Sequence, residues 1–504
     1  MAVVKPESFQ QVLIFFPIVL VWFPVSALNL KYIRQRYRDV VVERTFFQTL
    51  ARYLLLALLF YAPWAYGSTR PTLVNILDDG LLLCFGLHLS SLVLEGRFPR
   101  YPLIPTVCLA LLVLQGLWMC FNARSYLDDD FWEFVPLIQP FPHLPGTWDK
   151  AASLFTLKTL CAMTAAFLVA CDLMANEIWK LRLWRTMGIA GCSIIVYGLI
   201  QKGLGPDSII SMYQDPYILP TFFGPYRYHA NAGAYLNLVW PVLLSLFIHS
   251  WRKGYAYVER AIWSCALVMG LAACFVNTSK AAAAITVLMM FAAVLSFASF
   301  FRNNLIRSRY AARILTAAFI LGFVAILIYG GITNQLQGRW DKMFNPNNSS
   351  DTEGRLLVYG ACIRMIPEAG WLGFGPGTFS RVFPFHTLYL GDQIKGFWVY
   401  AHEDYLQTVV EYGYLGSLFW SVLLFGSIIM AILRGLRSSL RTHDRIIYRT
   451  AGLALGGLAL HSFVDFPLQV ASIQLYAVIF FAYAWSTAND SKRLQNSQEI
   501  LQPR

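Results

Sequence analysis

The 504-residue chain is 57% hydrophobic, 15% aromatic and 13% charged, and its net charge is +12. Soluble domains carry about 25% charged residues, and here the apolar excess gathers into runs near the roughly 20 residues that a bilayer crossing requires. A soluble enzyme, a disordered chain and a disulfide-rich secreted domain are excluded. What remains is an all-α, polytopic transmembrane helix bundle.

In chain order, the apolar runs predict spans at 12–28, 49–66, 73–94, 103–121, 151–171, 185–204, 230–249, 261–277, 281–301, 314–331, 405–433, 450–466 and 471–487. The first run carries Pro17 and Pro24 and is followed by Lys31, Arg34, Arg36 and Arg38, so it reads as an anchored segment and not as a cleaved signal. Without it there are twelve spans. The loops at 29–48, 95–102, 172–184, 250–260, 302–313 and 434–449, with the tail after 487, hold most of the Lys and Arg. Positive charge is retained in the cytoplasm, so these seven are expected inside.

The opposite loops are then expected outside. They are 122–150 with Asp128, Asp129 and Asp130, 205–229, the short turn Asn277 to Lys280, and the long stretch 332–404. This divides the chain into an N-terminal extra span and basic loop (1–48), a transmembrane bundle (49–331), an outer loop capping the site (332–404), C-terminal spans (405–487) and a cytoplasmic tail (488–504). Of nine cysteines, all but Cys362 lie in or beside apolar runs. No Cys/His spacing suggests a zinc site, and no metal or other cofactor is expected. The acidic triplet at 128–130 reads as a solvated loop.

Chemistry-bearing residues gather where outer loops meet the membrane. His402 lies at the start of a span, and imidazole suits proton transfer near neutral pH; a plain surface histidine is the competing reading. Arg355, within an apolar segment of the long loop, suits a carboxylate partner or a phosphate. Arg227 and Lys280 add positive charge at outer helix ends where the topology rule gives no reason for it. His461 and Asp465, four residues apart, are expected on one helix face. The turn Gly373 to Phe379 is glycine-rich but lacks the Lys-Ser/Thr ending of a P-loop, so tight-turn geometry is expected.

These residues carry a resemblance. His402, Glu403, Gly413 and Gly416 resemble the pattern of the O-antigen ligase and polymerase superfamily, membrane glycosyltransferases with a GT-C-like fold, although Glu403 stands where Asn, Ser or Gln is more usual. Arg227-Tyr228-His229-Ala230-Asn231-Ala232-Gly233, Gly354-Arg355, and His461 to Gln469 also resemble family sequence, and Asn277 to Lys280 resembles its Ser-Arg turn with Lys in place of Arg.

The resemblance implies transfer of a glycan from undecaprenyl diphosphate to an acceptor hydroxyl, glycan or lipid A-core, on the periplasmic face of the bacterial inner membrane. In that scheme His402 is the base, and Arg227, Lys280 and Arg355 hold the diphosphate without a metal. His229, Glu403, Asp404, His461 and Asp465 stand in support, and the anomeric centre inverts. A polymerase of O-antigen or exopolysaccharide needs the same groups. A lipid-linked glycan flippase would place its charges nearer the bilayer midplane. The implied partners are the lipid-linked donor, the acceptor and the bilayer, with no nucleic acid.

Overall fold

The computed structural model describes residues 46–204, 222–252, 256–306, 350–394 and 396–486. The spans expected at 12–28 and 314–331 lie outside the described residues. Helices dominate: α1 (Phe46–Trp64), α2 (Pro71–Glu95), α3 (Leu103–Phe121), α4 (Lys150–Leu173), α5 (Glu177–Leu204), α6 (His229–Arg252), α7 (Tyr257–Val276), α8 (Lys280–Ser296), α9 (Ser350–Ala369), α10 (Phe379–His386), α11 (Asp404–Leu436), α12 (Thr442–His461) and α13 (Ala471–Trp485). By length and composition, α1 to α7 and α11 are able to cross a membrane; α8 and α13 are apolar but shorter. The chain is an all-α polytopic bundle.

Helix α6 is the axis of the bundle, with every residue from Ala230 to Ser250 buried. It packs against α5, α7 and α12. Between helices in lipid no hydrophobic gradient drives association, so close contact of small residues supplies the packing. Gly188 and Gly191 of α5 accordingly lie against Leu246 and Val239 of α6. Several charges among the helices are paired. Arg97 donates to both oxygens of Asp172 at 2.7 and 2.8 Å, Lys180 pairs with Asp444, and Lys158 meets Asp79 at 2.8 Å.

Several expectations need correction. The span placed at 185–204 begins at Glu177, because Asn176 caps the helix by accepting from the amides of Ile178 and Trp179. The loop expected over 172–184 is therefore largely helix. The span placed at 450–466 is α12, Thr442–His461, and the chain leaves the helix before Asp465. Loop 122–150 contains an unexpected antiparallel hairpin, β1 (Ser125–Asp128) with β2 (Glu133–Pro136). Its acidic tip is largely exposed, as expected, and Asp129 also pairs with Arg381 at 2.5 Å. Cys362 is buried inside α9, a helical part of the long stretch 332–404.

Residues 354–401 form a second, smaller core. Val358, Cys362 and Met365 of α9 meet Phe374, Phe379, Val382 and Phe383, and Val410 of α11 closes it. Helix α9 runs beside the first turns of α11: Tyr359 reaches the carbonyl of His402, and the carbonyls of Gly370 and Trp371 accept from Tyr414 and Leu415. Helix α11 is broken there, with Gly413 at φ +65°. The amides of Phe374 and Gly375 satisfy the carbonyls of Val410 and Glu411 that the break exposes. Gln115 of α3 donates to the carbonyls of Leu372 and Tyr412 and finishes the patch. These bonds supply partners to carbonyls at the break, as a lipid environment demands.

Candidate active site

The helix ends that carry the candidate residues converge. Helices α6, α8 and α11 begin there and α12 ends there, and the turn 462–470 lies between α12 and α13. His402 Nδ1 is 3.1 Å from Asp465 Oδ1. The other carboxylate oxygen, Oδ2, accepts from the Tyr228 hydroxyl at 3.1 Å. Tyr228 in turn accepts from Arg355 Nη2 at 3.4 Å, while Arg355 Nη1 donates to the carbonyl of Val464 at 2.8 Å. One connected group thus joins α9, the start of α6, the start of α11 and the turn after α12.

The pairing at Nδ1 leaves Nε2 as the imidazole nitrogen available for chemistry, and the side chain is 21% exposed. Aromatic rings surround it: Trp398, Phe466 and Tyr228 lie edge-to-face at 5.4, 4.7 and 6.1 Å. Phe466 stacks between Tyr400 and Tyr228. The His402 backbone sits at φ +55°, a left-handed conformation that costs a non-glycine residue on the order of 1 kcal/mol or more. Such strain persists only where surrounding contacts impose it.

Asp465 lies in the turn beyond α12. Burial pushes its carboxyl up, but the His402 hydrogen bond and charge, with His461 and Arg355 nearby, outweigh burial and hold it below the usual carboxylate range. The same carboxylate and burial push the Tyr228 phenol well up, so it stays a donor. His461 and Asp465 do not share a helix face as expected. His461 is the last residue of α12 and fully buried, with both ring nitrogens unbonded. Asp465 turns toward His402.

The cations divide into two kinds. Among the described residues Arg355 makes no salt bridge, and its bonds are to a carbonyl and a phenol. Arg227 and Lys280 are exposed. Lys280 is the first residue of α8, whose cap is the Ser279 hydroxyl accepting from Ala282. A cation at the positive end of a helix dipole is unfavourable without an anion nearby. The Asn277 amide donates to the carbonyl of His229 at 2.8 Å and ties the Lys280 turn to the start of α6. His229 packs its ring edge-on against Tyr228 at 4.8 Å.

Two expected supporters have other work. Glu403 caps α11, accepting from the amide of Leu406; burial raises its carboxyl above the usual value. Asp404 accepts from the amide of Leu468 at 2.9 Å and from Gln469 at 3.1 Å. The glycine turn at 373–379 holds an internal carboxyl group: buried Glu411 accepts from the amides of Gly377 and Phe379. Sequence reasoning assigned no role to Tyr228, Trp398, Tyr400 or Phe466. The aromatic spacing Trp398, Tyr400, His402 on alternate residues was the available signal.

Fold and site together define a multi-pass helical membrane protein whose ionisable groups meet at one set of helix ends. Residues 265–421 match the family model described as O-antigen ligase. The matched stretch runs from α7 into α11 and contains Lys280, Arg355, His402, Gly413 and Gly416. It supports the O-antigen ligase superfamily, glycosyltransferase-like membrane enzymes that use lipid-linked glycans and an acceptor. No curated protein matches the chain.

Proposed function

We propose that the chain transfers a glycan from undecaprenyl diphosphate to an acceptor hydroxyl, a glycan or lipid A-core, at the periplasmic face of the inner membrane. The observation that carries this reading is the His402–Asp465 contact with Arg355 bound to the same Tyr228. It sets a base with one open nitrogen beside a cation that no carboxylate among the described residues pairs directly.

The chemistry follows from those positions. The acceptor oxygen attacks the anomeric carbon as its proton passes to His402 Nε2. Asp465 orients the imidazole through Nδ1 and favours the imidazolium that forms. The bond from the anomeric carbon to the diphosphate oxygen breaks, and its electron pair leaves with the diphosphate. Arg355, Arg227 and Lys280 meet the charge that grows there, an electrostatic contribution strongest in a site screened from water. Attack opposite the leaving group inverts the anomeric centre.

The test is glycan transfer in membranes carrying His402→Ala. Loss of transfer by about two orders of magnitude or more is expected for removal of a general base; full activity would dismiss the assignment. The flux should appear as acceptor bearing glycan, not as donor moved across the vesicle, which separates transfer from transport. In a deletion strain, loss of long chains from the acceptor while polymer persists on the lipid carrier would mark a ligase and not a polymerase.

A further inference from the structure

His402 is held by residues that do not touch the reacting atoms. The polar face of α11 carries Asp404, Gln407 and Glu411 at positions i, i+3 and i+7, all three buried. Gln407 Oε1 accepts from the amide of Ala401 at 3.0 Å, fixing the Tyr400–Ala401 peptide one residue before His402. Its Nε2 donates to Glu411 Oε1 at 3.1 Å, and Glu411 is itself anchored by the amides of Gly377 and Phe379. On the other side, the Asp404 amide donates to the carbonyl of Ser462 at 2.9 Å. Its carboxyl group binds Leu468 N and Gln469 Nε2. Residues 462 and 468–469 bracket Asp465, so Asp404 pins both ends of the turn that presents it.

We infer that Asp404 and Gln407 are positioning residues for the transfer reaction: Gln407 holds the left-handed backbone at His402, and Asp404 holds Asp465 against its Nδ1. The inference rests on the reading of His402 as the base. The left-handed His402 is the observation that demands such support, because a strained residue relaxes unless its neighbours over-determine it. The two contacts lie on opposite sides of His402, and both originate within the first four residues of a single helix. Neither residue could reach substrate, since Asp404 is fully buried and Gln407 nearly so.

The full-length protein in detergent, supplied with undecaprenyl-diphosphate-linked glycan and acceptor, decides this. Asp404→Asn and Gln407→Ala are expected to lower kcat by about tenfold while the KM for donor changes less than about twofold, since ground-state binding is untouched. Asp465→Asn, which removes the same partner of the imidazole directly, should show the same split between kcat and KM. Gln469→Ala removes one donor to Asp404 and leaves the buried carboxyl group in place; it should lower kcat in the same way by less, and it serves if Asp404→Asn does not fold. Folded variants with unchanged kcat would overturn the inference. That outcome beside an inactive His402→Ala would leave the proposed function standing, whereas an active His402→Ala would remove the function itself.

Discussion

Gly373 and Gly413 stand back to back. A Cβ on Gly413 would come within 2.5 Å of the Gly373 nitrogen, and a Cβ on Gly373 would collide with the carbonyl of Glu411. Both residues have positive φ, +78° and +65°. Here the chain after α9 enters the break in α11 and exchanges backbone hydrogen bonds with it. Gly413→Ala or Gly373→Ala should destabilise the protein by at least about 2 kcal/mol, since left-handed alanine and backbone overlap both oppose the fold. The measurement is the Tm of the detergent-solubilised variants. A loss no larger than that of Gly360→Ala, where a Cβ meets nothing within 4 Å, would contradict the close-approach account.

Glu403 separates two roles that its place beside His402 left joined. Its carboxylate caps α11, and caps contribute about 1 kcal/mol. Glu403→Asn should keep the cap and keep transfer near its starting rate. Glu403→Ala should lower Tm and reduce the yield of folded protein. Transfer assays normalised to folded protein check this: a Glu403→Asn variant as inactive as His402→Ala would assign the carboxylate to the chemistry.

The helical class was legible, because it is carried by local hydropathy. Helix ends were less so. Hydropathy marks where lipid-compatible residues run, while the ends of α5 and α12 are set by a capping Asn176 and by the turn before Pro467, and caps are polar residues outside the apolar run. The contact between His402 and Asp465 was not legible either. It depends on a non-helical turn 63 residues away that points the carboxylate back toward α11. The role of the glycine turn was hidden for a similar reason: its partner is Glu411, a side chain of another segment, so no phosphate-binding pattern surrounds it.

Tyr228 bridges Asp465 and Arg355, and the bridge can be cut without removing either charge. Tyr228→Phe keeps the stack on Phe466 and loses a hydroxyl bonded to a carboxylate and a guanidinium, so transfer should fall about tenfold, the lower end of the effect of a hydrogen bond to a charged group. Arg355→Ala should cost far more and raise the KM for donor, and Arg355→Lys should recover only part, because an ammonium lacks the planar fork. Donor titrations on the three variants check the order. Arg355→Ala with unchanged KM and kcat would take the guanidinium out of the site.

Asp465 gives a prediction in pH. Its carboxyl is held below the ordinary range despite burial, which pushes the other way, because His402, His461 and Arg355 favour the anion. A depressed folded value means that the proton is bound more readily by the unfolded chain. The stabilisation is therefore fully present above the unfolded Asp value of about 3.9 and is lost as pH falls below it toward the folded value. Between pH 7 and 5 the Asp465 contribution should stay constant. Below about pH 4 the Tm of the parent should drop more steeply than that of Asp465→Asn, whose amide has no proton to gain. Parallel Tm–pH curves for the two proteins in that acid window would show that the carboxylate gains nothing from its partners, and the His402–Asp465 contact would then be a neighbour relationship without electrostatic consequence.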